Sequence, residues 1–264
     1  MLQSNESILV FDLETTGPDP QRDEIVQFGY CIIESGQVSP GVDIMIKPEK
    51  SISDGASRVH GITYEDVKDC QTFKEVSSEI QAVVGACDGL CGFNSLCFDW
   101  PILKRQLKSM SGDSVVNLTP ELPVIDVMKL YHKRAGGGDL QSALRVYCNR
   151  DLPDAHKASI DSFATAEIFN KMVHLYNFKS IDEIIKDQME RPSDWIDDDG
   201  KIVWRDGEAV IPFGKHSGKS LKTLCRHDRG YLNWMLSGSF PQKTKEIIHL
   251  ALKGHFPNQG VSHA

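Results

Sequence analysis

Near the start of the chain, three stretches carry strand-like apolar patterning, at residues 8–15, 25–34 and 42–47. Gly/Pro/Asp-rich and Gly/Ser-rich segments separate them, which predicts turns between strands of an antiparallel meander. The period then lengthens. Phe73, Val76, Ile80, Val83 and Val84 recur at helical spacing, and a short strand follows at 89–93. A second helix carries Phe98, Ile102, Leu103 and Leu107, and another short strand is expected at 123–127. After Gly136, Gly137 and Gly138 the pattern predicts helices over about 139–147 and 159–176. In the latter, Ile160, Phe163, Ala164, Ile168, Met172 and Leu175 form an apolar stripe, with Ser159 as N-cap. Strands first, alternation in the middle and helices later predict an α/β fold: a mixed sheet flanked by helices.

A further helix near 180–190 leads into a proline-, glycine- and acid-rich run at 191–200, which predicts a boundary. The expected organisation is a main domain over 1–190, a linker over 191–200 and a small α+β domain over 201–264. The last has short strand-like pieces at 202–204 and 209–213. Its helical pieces contain Leu232, Trp234 and Met235, and then Ile247, Ile248, Leu250 and Leu252.

Composition narrows the class. The chain has 264 residues, 40% hydrophobic and 25% charged, typical of a globular protein. No apolar run approaches the ~20 residues of a membrane span, and the first residues lack a signal-peptide layout, so a cytoplasmic protein without membrane partners is expected. The seven cysteines are odd in number and follow no paired framework, which predicts free thiols in a reducing compartment. The net charge of −8 is uneven. Residues 201–264 hold ten Lys/Arg against four Asp/Glu, a balance of +6, which leaves −14 for the first 200. A basic tail fits a polyanionic partner, although solvated surface charge would look the same.

Candidate chemistry begins at the end of the first strand. Asp12 and Glu14 stand at i and i+2 and therefore share one face of a strand. Two carboxylates held together there repel and lose hydration, so a cation, best a divalent metal ion, should sit between them. Two later acids have notable surroundings: Asp99, flanked by Asn94 and Phe98, and Asp161, five residues after His156. Taken singly, an acid in a first helical turn is explained by the helix dipole, and a loop histidine is usually a surface or capping residue. Their order along the chain, DxETTG, then NxxxFD, then HxxxxD, is what points to one site.

On these motifs, residues 7 to about 176 resemble the DnaQ-like superfamily of 3′-to-5′ exonucleases. The five-residue interval from His156 to Asp161 resembles the DEDDh branch, since the DEDDy branch would have tyrosine where Lys157 stands. The resemblance implies a ribonuclease H-like fold and two Mg²⁺ or Mn²⁺ ions. It also implies roles: Asp12 bridging, Glu14 and Asp161 on the metal that activates water, Asp99 supporting the second, and His156 accepting the proton. Phosphodiester hydrolysis suits such ions, because they can serve both the attacking and the departing oxygen, and carboxylates are the ligands they prefer. Thr15 and Thr16 match positions that touch the terminal nucleotide, and Asn94 belongs to the second motif. His60 matches a residue that approaches the nucleic-acid backbone, with helix capping as the alternative. Phe93 is placed beside the terminal base, with core packing as the alternative.

In the tail, residues 213–220 imitate a phosphate-binding P-loop but have Phe213 where its first glycine is required. Lys215 and Lys219 remain candidates for phosphate contact. With residues 231–235, this segment resembles the C-terminal module of exodeoxyribonuclease X-like proteins, which implies DNA. The expected activity is release of nucleoside 5′-monophosphates from 3′ ends, single-stranded DNA favoured. The alternatives are RNA 3′-end trimming and a polymerase-associated proofreading subunit. Candidate protein partners are a second copy of the chain or a polymerase or repair protein.

Overall fold

The computed structural model describes residues 6–110, 122–152, 157–238 and 240–258. The chain divides into two compact units, one of Met1–Leu130 with Asp139–Met189, the other of Tyr131–Gly138 with Glu190–Ala264.

The first unit is built on a mixed sheet. Its strands are β1 (Ser7–Thr15), β2 (Ile25–Glu34), β3 (Gln37–Val38), β4 (Val42–Met45), β5 (Gly89–Gly92) and β6 (Val124–Asp126). β2 lies antiparallel to β1, β3 and β4, as the meander pattern predicts, while β5 runs parallel to both β1 and β6. The C-terminal ends of β1, β5 and β6 therefore meet at one edge, where ligand sites of α/β sheets usually form.

The helices are α1 (Asp54–His60), α2 (Tyr64–Val67), α3 (Phe73–Gly85), α4 (Asp99–Met110), α5 (Val127–Ala135), α6 (Leu140–Cys148), α7 (Ala158–Tyr176) and α8 (Ile181–Met189). The main core joins Leu9, Phe11 and Leu13 of β1 to Val76 and Ile80 of α3 and Ile102, Leu103 and Leu107 of α4. α1, α2 and α5 escape the pattern because they bury few apolar side chains or begin inside a strand-like run; α1 buries none.

α7 departs from its predicted stripe. Leu175 is exposed, and small residues such as Ala158, Ser162, Thr165 and Ala166 are buried instead. They let the helix lie close to β1 and β2, with which it packs. Its N-cap is Lys157 rather than Ser159. The Ser159 N–H and hydroxyl instead donate to the Asp43 carboxylate on β4, at 3.0 and 2.5 Å. A neighbouring strand thus supplies the cap that the preceding residue lacks.

The second unit contains β7 (Val203–Arg205), β8 (Glu208–Ile211), β9 (Lys219–Ser220), α9 (Leu221–His227), α10 (Arg229–Ser237) and α11 (Gln242–Leu252). Its own core includes Ile202, Ile211, Leu224, Leu232, Met235 and Ile248. Residues 191–200 are packed into this unit and are not a free linker. Asp197 is fully buried and accepts bonds from Thr244 Oγ1 at 2.6 Å and the Lys201 N–H at 2.8 Å. An acid run that reads as solvated loop thus includes a carboxylate serving as the unit's internal anchor. Residues 213–220 form a 3₁₀ turn at Gly214–His216 and a strand, and Ser220 caps α9 through the Thr223 N–H.

No helix among the described residues is long and apolar enough to cross a membrane. All seven cysteines are free.

Candidate active site

β1 carries Asp12 and Glu14 on one face, paired in register with Gly29 and Gln27 of β2. Asp161 joins them from the first turn of α7. One carboxylate oxygen from each of Asp12, Glu14 and Asp161 lies within 4.8 Å of the other two, close enough to share a metal ion.

Gly29 is what allows this approach. A Cβ there would stand 2.1 Å from the Ala158 carbonyl carbon and 2.2 Å from the Ser159 nitrogen, inside the backbone of α7. Any side chain opposite Asp12 would push away the helix end that delivers Asp161. The Ala158 N–H also donates to Gln27 Oε1 at 3.4 Å, tying the same end to the strand residue opposite Glu14.

Asp99 begins α4 and is 4% exposed. Its Oδ1 accepts the Leu13 N–H at 3.1 Å, so the carboxylate is braced against the backbone between Asp12 and Glu14. It is the strongest charged neighbour of Asp12. Four carboxylates thus crowd one edge of the sheet.

Their protonation reflects that crowding. Burial, then repulsion from Asp99, Glu14 and Asp161, holds the Asp12 carboxyl well above the usual carboxylate range. Glu14 is pushed up to about 8, by burial first and then by Asp161 and Asp99. Asp99 is raised to about 7 by burial, against the backbone N–H bonds that favour its ionised form. Acids that ionise only reluctantly when alone ionise readily around a cation, and an all-oxygen donor set suits a hard divalent ion. The residues therefore fit a divalent metal.

The other predicted residues divide. His156 lies outside the described residues. Thr15 and Thr16 are buried beside the acids, and their hydroxyls donate to the Gly17 carbonyl at 2.8 Å and to Asp23 Oδ1 at 2.9 Å. His60 closes α1 rather than capping α2, whose cap is Thr63. Its Nδ1 accepts the Ile62 N–H at 3.0 Å, which makes Nε2 the donor to the Thr15 carbonyl at 3.1 Å. The ring thereby anchors the strand end that carries the acids. Phe93 is half-buried just after β5. Asn94 adopts a left-handed φ of 63°. Lys215 and Lys219 belong to the second unit and are exposed.

Asp126 escaped the motif reading. It ends β6, is fully buried, and its carboxylate accepts N–H groups of Asn94 at 3.0 Å, Leu96 at 3.2 Å and Met128 at 3.0 Å. It thus pins the loop between Phe93 and Asp99. A signal was present: Val124-Ile125-Asp126 closes an apolar strand with an acid, as Phe11-Asp12 does.

Residues 9–169 match the family model RNase_T, described as an exonuclease. The PolC-type DNA polymerase III of Thermotoga maritima is 29% identical over 199 residues, 72% of this chain and 13% of the polymerase. This chain therefore spans only a small part of that relative's length. Among solved structures, a zinc-bound E. coli exonuclease I in complex with single-stranded DNA superposes with a TM-score of 0.55 at 18% identity, covering 66% of this chain and 41% of that one. Exonuclease X bound to duplex DNA with a 5′ overhang gives a TM-score of 0.52 at 20% identity, covering 69% of this chain and 99% of that one. These likenesses extend the mixed sheet flanked by helices to known exonuclease folds.

Proposed function

The chain belongs to the RNase_T exonuclease family, and from that premise we propose that it is a metal-dependent 3′-to-5′ exonuclease acting on DNA ends. The observation that carries the proposal is the convergence of Asp12, Glu14 and Asp161 within 4.8 Å, with Asp99 braced alongside. Two divalent ions, Mg²⁺ or Mn²⁺, would supply water activation and charge neutralisation at the scissile phosphate. Asp12 and Glu14 hold their positions through the β1 register, Asp161 through the close packing of α7 on Gly29, and Asp99 through the Leu13 N–H. His156 takes the proton of the attacking water, an assignment supported by its interval to Asp161 and by the near-neutral pKa of imidazole. Thr15 and Thr16, at the end of β1, and Phe93 and Asn94, just after β5, would contact the terminal nucleotide, a reading supported by their place at the strand ends beside the acids.

DNA is favoured by the relatives: the polymerase is named for DNA, and both solved neighbours carry it. Single strands are the preferred substrate, and nucleoside 5′-monophosphates the product. The polymerase relative also supports a second reading, in which the chain proofreads beside a polymerase. A cytoplasmic setting accords with the free cysteines.

The test is degradation of 5′-labelled single-stranded DNA, duplex DNA and RNA of matched sequence in Mg²⁺. A ladder shortening from the 3′ end is expected, faster on DNA, and absent in EDTA or in Asp12→Ala. Turnover that persists in Asp12→Ala, or that generates internal cuts, would overturn the proposal. A preference for RNA would transfer the assignment to 3′-end trimming, since the 2′-hydroxyl is what separates the two.

A further inference from the structure

Trp234 of α10 is 55% exposed, whereas its helix neighbours Leu232 and Met235 are fully buried. The ring is nonetheless held by other rings. Tyr231 lies 5.3 Å from it, centroid to centroid, and Phe240 lies 5.5 Å away. Phe240 in turn stacks on Phe213 at 6.0 Å with the planes 22° apart. An ammonium group stands near each end of this row: Lys215 Nζ is 5.6 Å from the Tyr231 centroid, and Lys201 Nζ is 5.6 Å from that of Phe213.

We propose that this row is a base-stacking ledge for single-stranded DNA, with Trp234 as the platform and Lys215 as a phosphate contact. The inference rests on the reading of the chain as a DNA exonuclease. An exposed indole fixed by its neighbours loses little conformational freedom when a base stacks on it, and every base offers a π-face. Charge complementarity selects a polyanion: the whole unit, residues 131–138 with 190–264, holds 13 Lys/Arg against nine Asp/Glu, a balance of +4. Of the acids beside the row, Asp228 is already engaged by His216 Nε2 at 2.9 Å and by Lys215 at 3.8 Å, and Asp199 and Asp197 act on Lys201. A protein-docking face would be expected to expose a larger contiguous apolar patch. Here the only other large apolar side chain exposed among the described residues of this unit is Leu250, on α11.

The test uses the full chain in EDTA, where hydrolysis plays no part, with fluorescein-labelled oligothymidylate read by anisotropy. Trp234→Ala should weaken binding by roughly 5- to 100-fold without changing the slope of affinity against salt. Lys215→Ala should instead flatten that slope by about one unit. Trp234→Phe should keep most of the affinity but lose the share of DNA-induced quenching of tryptophan emission that Trp234 contributes, leaving only that of the other three tryptophans. That variant keeps a ring in place, so it decides the question even where Trp234→Ala fails to fold. Unchanged affinity in Trp234→Ala, or quenching in Trp234→Phe as large as in the unmodified chain, would overturn the ledge. So would a change of oligomeric state in sedimentation with DNA affinity intact, which would assign the face to a second copy of the chain. Trp234-dependent binding without any hydrolysis would sink only the exonuclease reading, and hydrolysis with Trp234-independent binding only the ledge.

Discussion

Replacing Glu14 by Gln should make the metal-free protein more stable while abolishing its activity. Burial and the neighbouring Asp161 and Asp99 raise the Glu14 carboxyl from 4.5 to about 8. The folded state then binds the proton more tightly than the unfolded chain, so stability is full below pH 4.5 and is lost as pH rises through 8. Integrating that difference gives a penalty of about 1 kcal/mol at pH 5.5 and about 4 kcal/mol at pH 7.5. A glutamine of the same shape carries no charge and escapes it. For a domain of this size each kcal/mol shifts the melting temperature by about 2–4 °C. In EDTA at pH 7.5, Glu14→Gln should therefore melt roughly 8–16 °C above the unsubstituted protein, with the gap narrowing to a few degrees at pH 5.5. Differential scanning calorimetry across that pH range is the assay. Added Mg²⁺ or Mn²⁺ should raise the melting temperature of the parent protein through binding to the folded state, and raise the variant less. A variant that melts at or below its parent at pH 7.5, or that gains as much from metal, would refute the idea that carboxylate repulsion is stored at this sheet edge.

Gly29→Ala should destabilise the first unit by about 1–3 kcal/mol, a typical overpacking cost, and lower hydrolysis by displacing Asp161; an unchanged melting temperature would contradict the close approach of α7. Asp126→Ala strands several backbone donors at about 1–3 kcal/mol each, so amide exchange at Asn94 and Leu96 should accelerate and activity fall, whereas Asp126→Asn should retain part of both; protection unchanged in Asp126→Ala would remove its positioning role. In the second unit, burial and then Lys201 depress His132 to about 4 from 6.5. Its contribution is present above pH 6.5 and lost as pH falls through 4. Relative to His132→Gln, the denaturant midpoint of the parent should therefore fall between pH 7 and 5; identical pH slopes would refute this.

Much of the architecture was legible along the chain because it follows from periodicity. The runs that became α3, α4 and α8 bury one face each, which helical spacing encodes, while those that became β1 and β2 are buried on both faces, which a near-continuous apolar run encodes. The acids were legible as well, since a carboxylate pair closing an apolar strand has few structural explanations and the DxETTG, NxxxFD and HxxxxD order narrows them further. α7 was legible as a helix but not in its orientation, because its small buried residues carry little hydropathy and its cap comes from Asp43 on a strand far away in sequence. The sequence by itself determined which residue types stand at the strand end and helix start and that they demand a cation. Only the tertiary structure decided that Gly29 admits α7 close enough for Asp161 to meet Asp12 and Glu14, that Asp126 pins the loop ahead of Asp99, and that residues 191–200 fold into the second unit. Those outcomes depend on distances between segments remote in sequence, set by sheet register and by the space a single absent Cβ leaves.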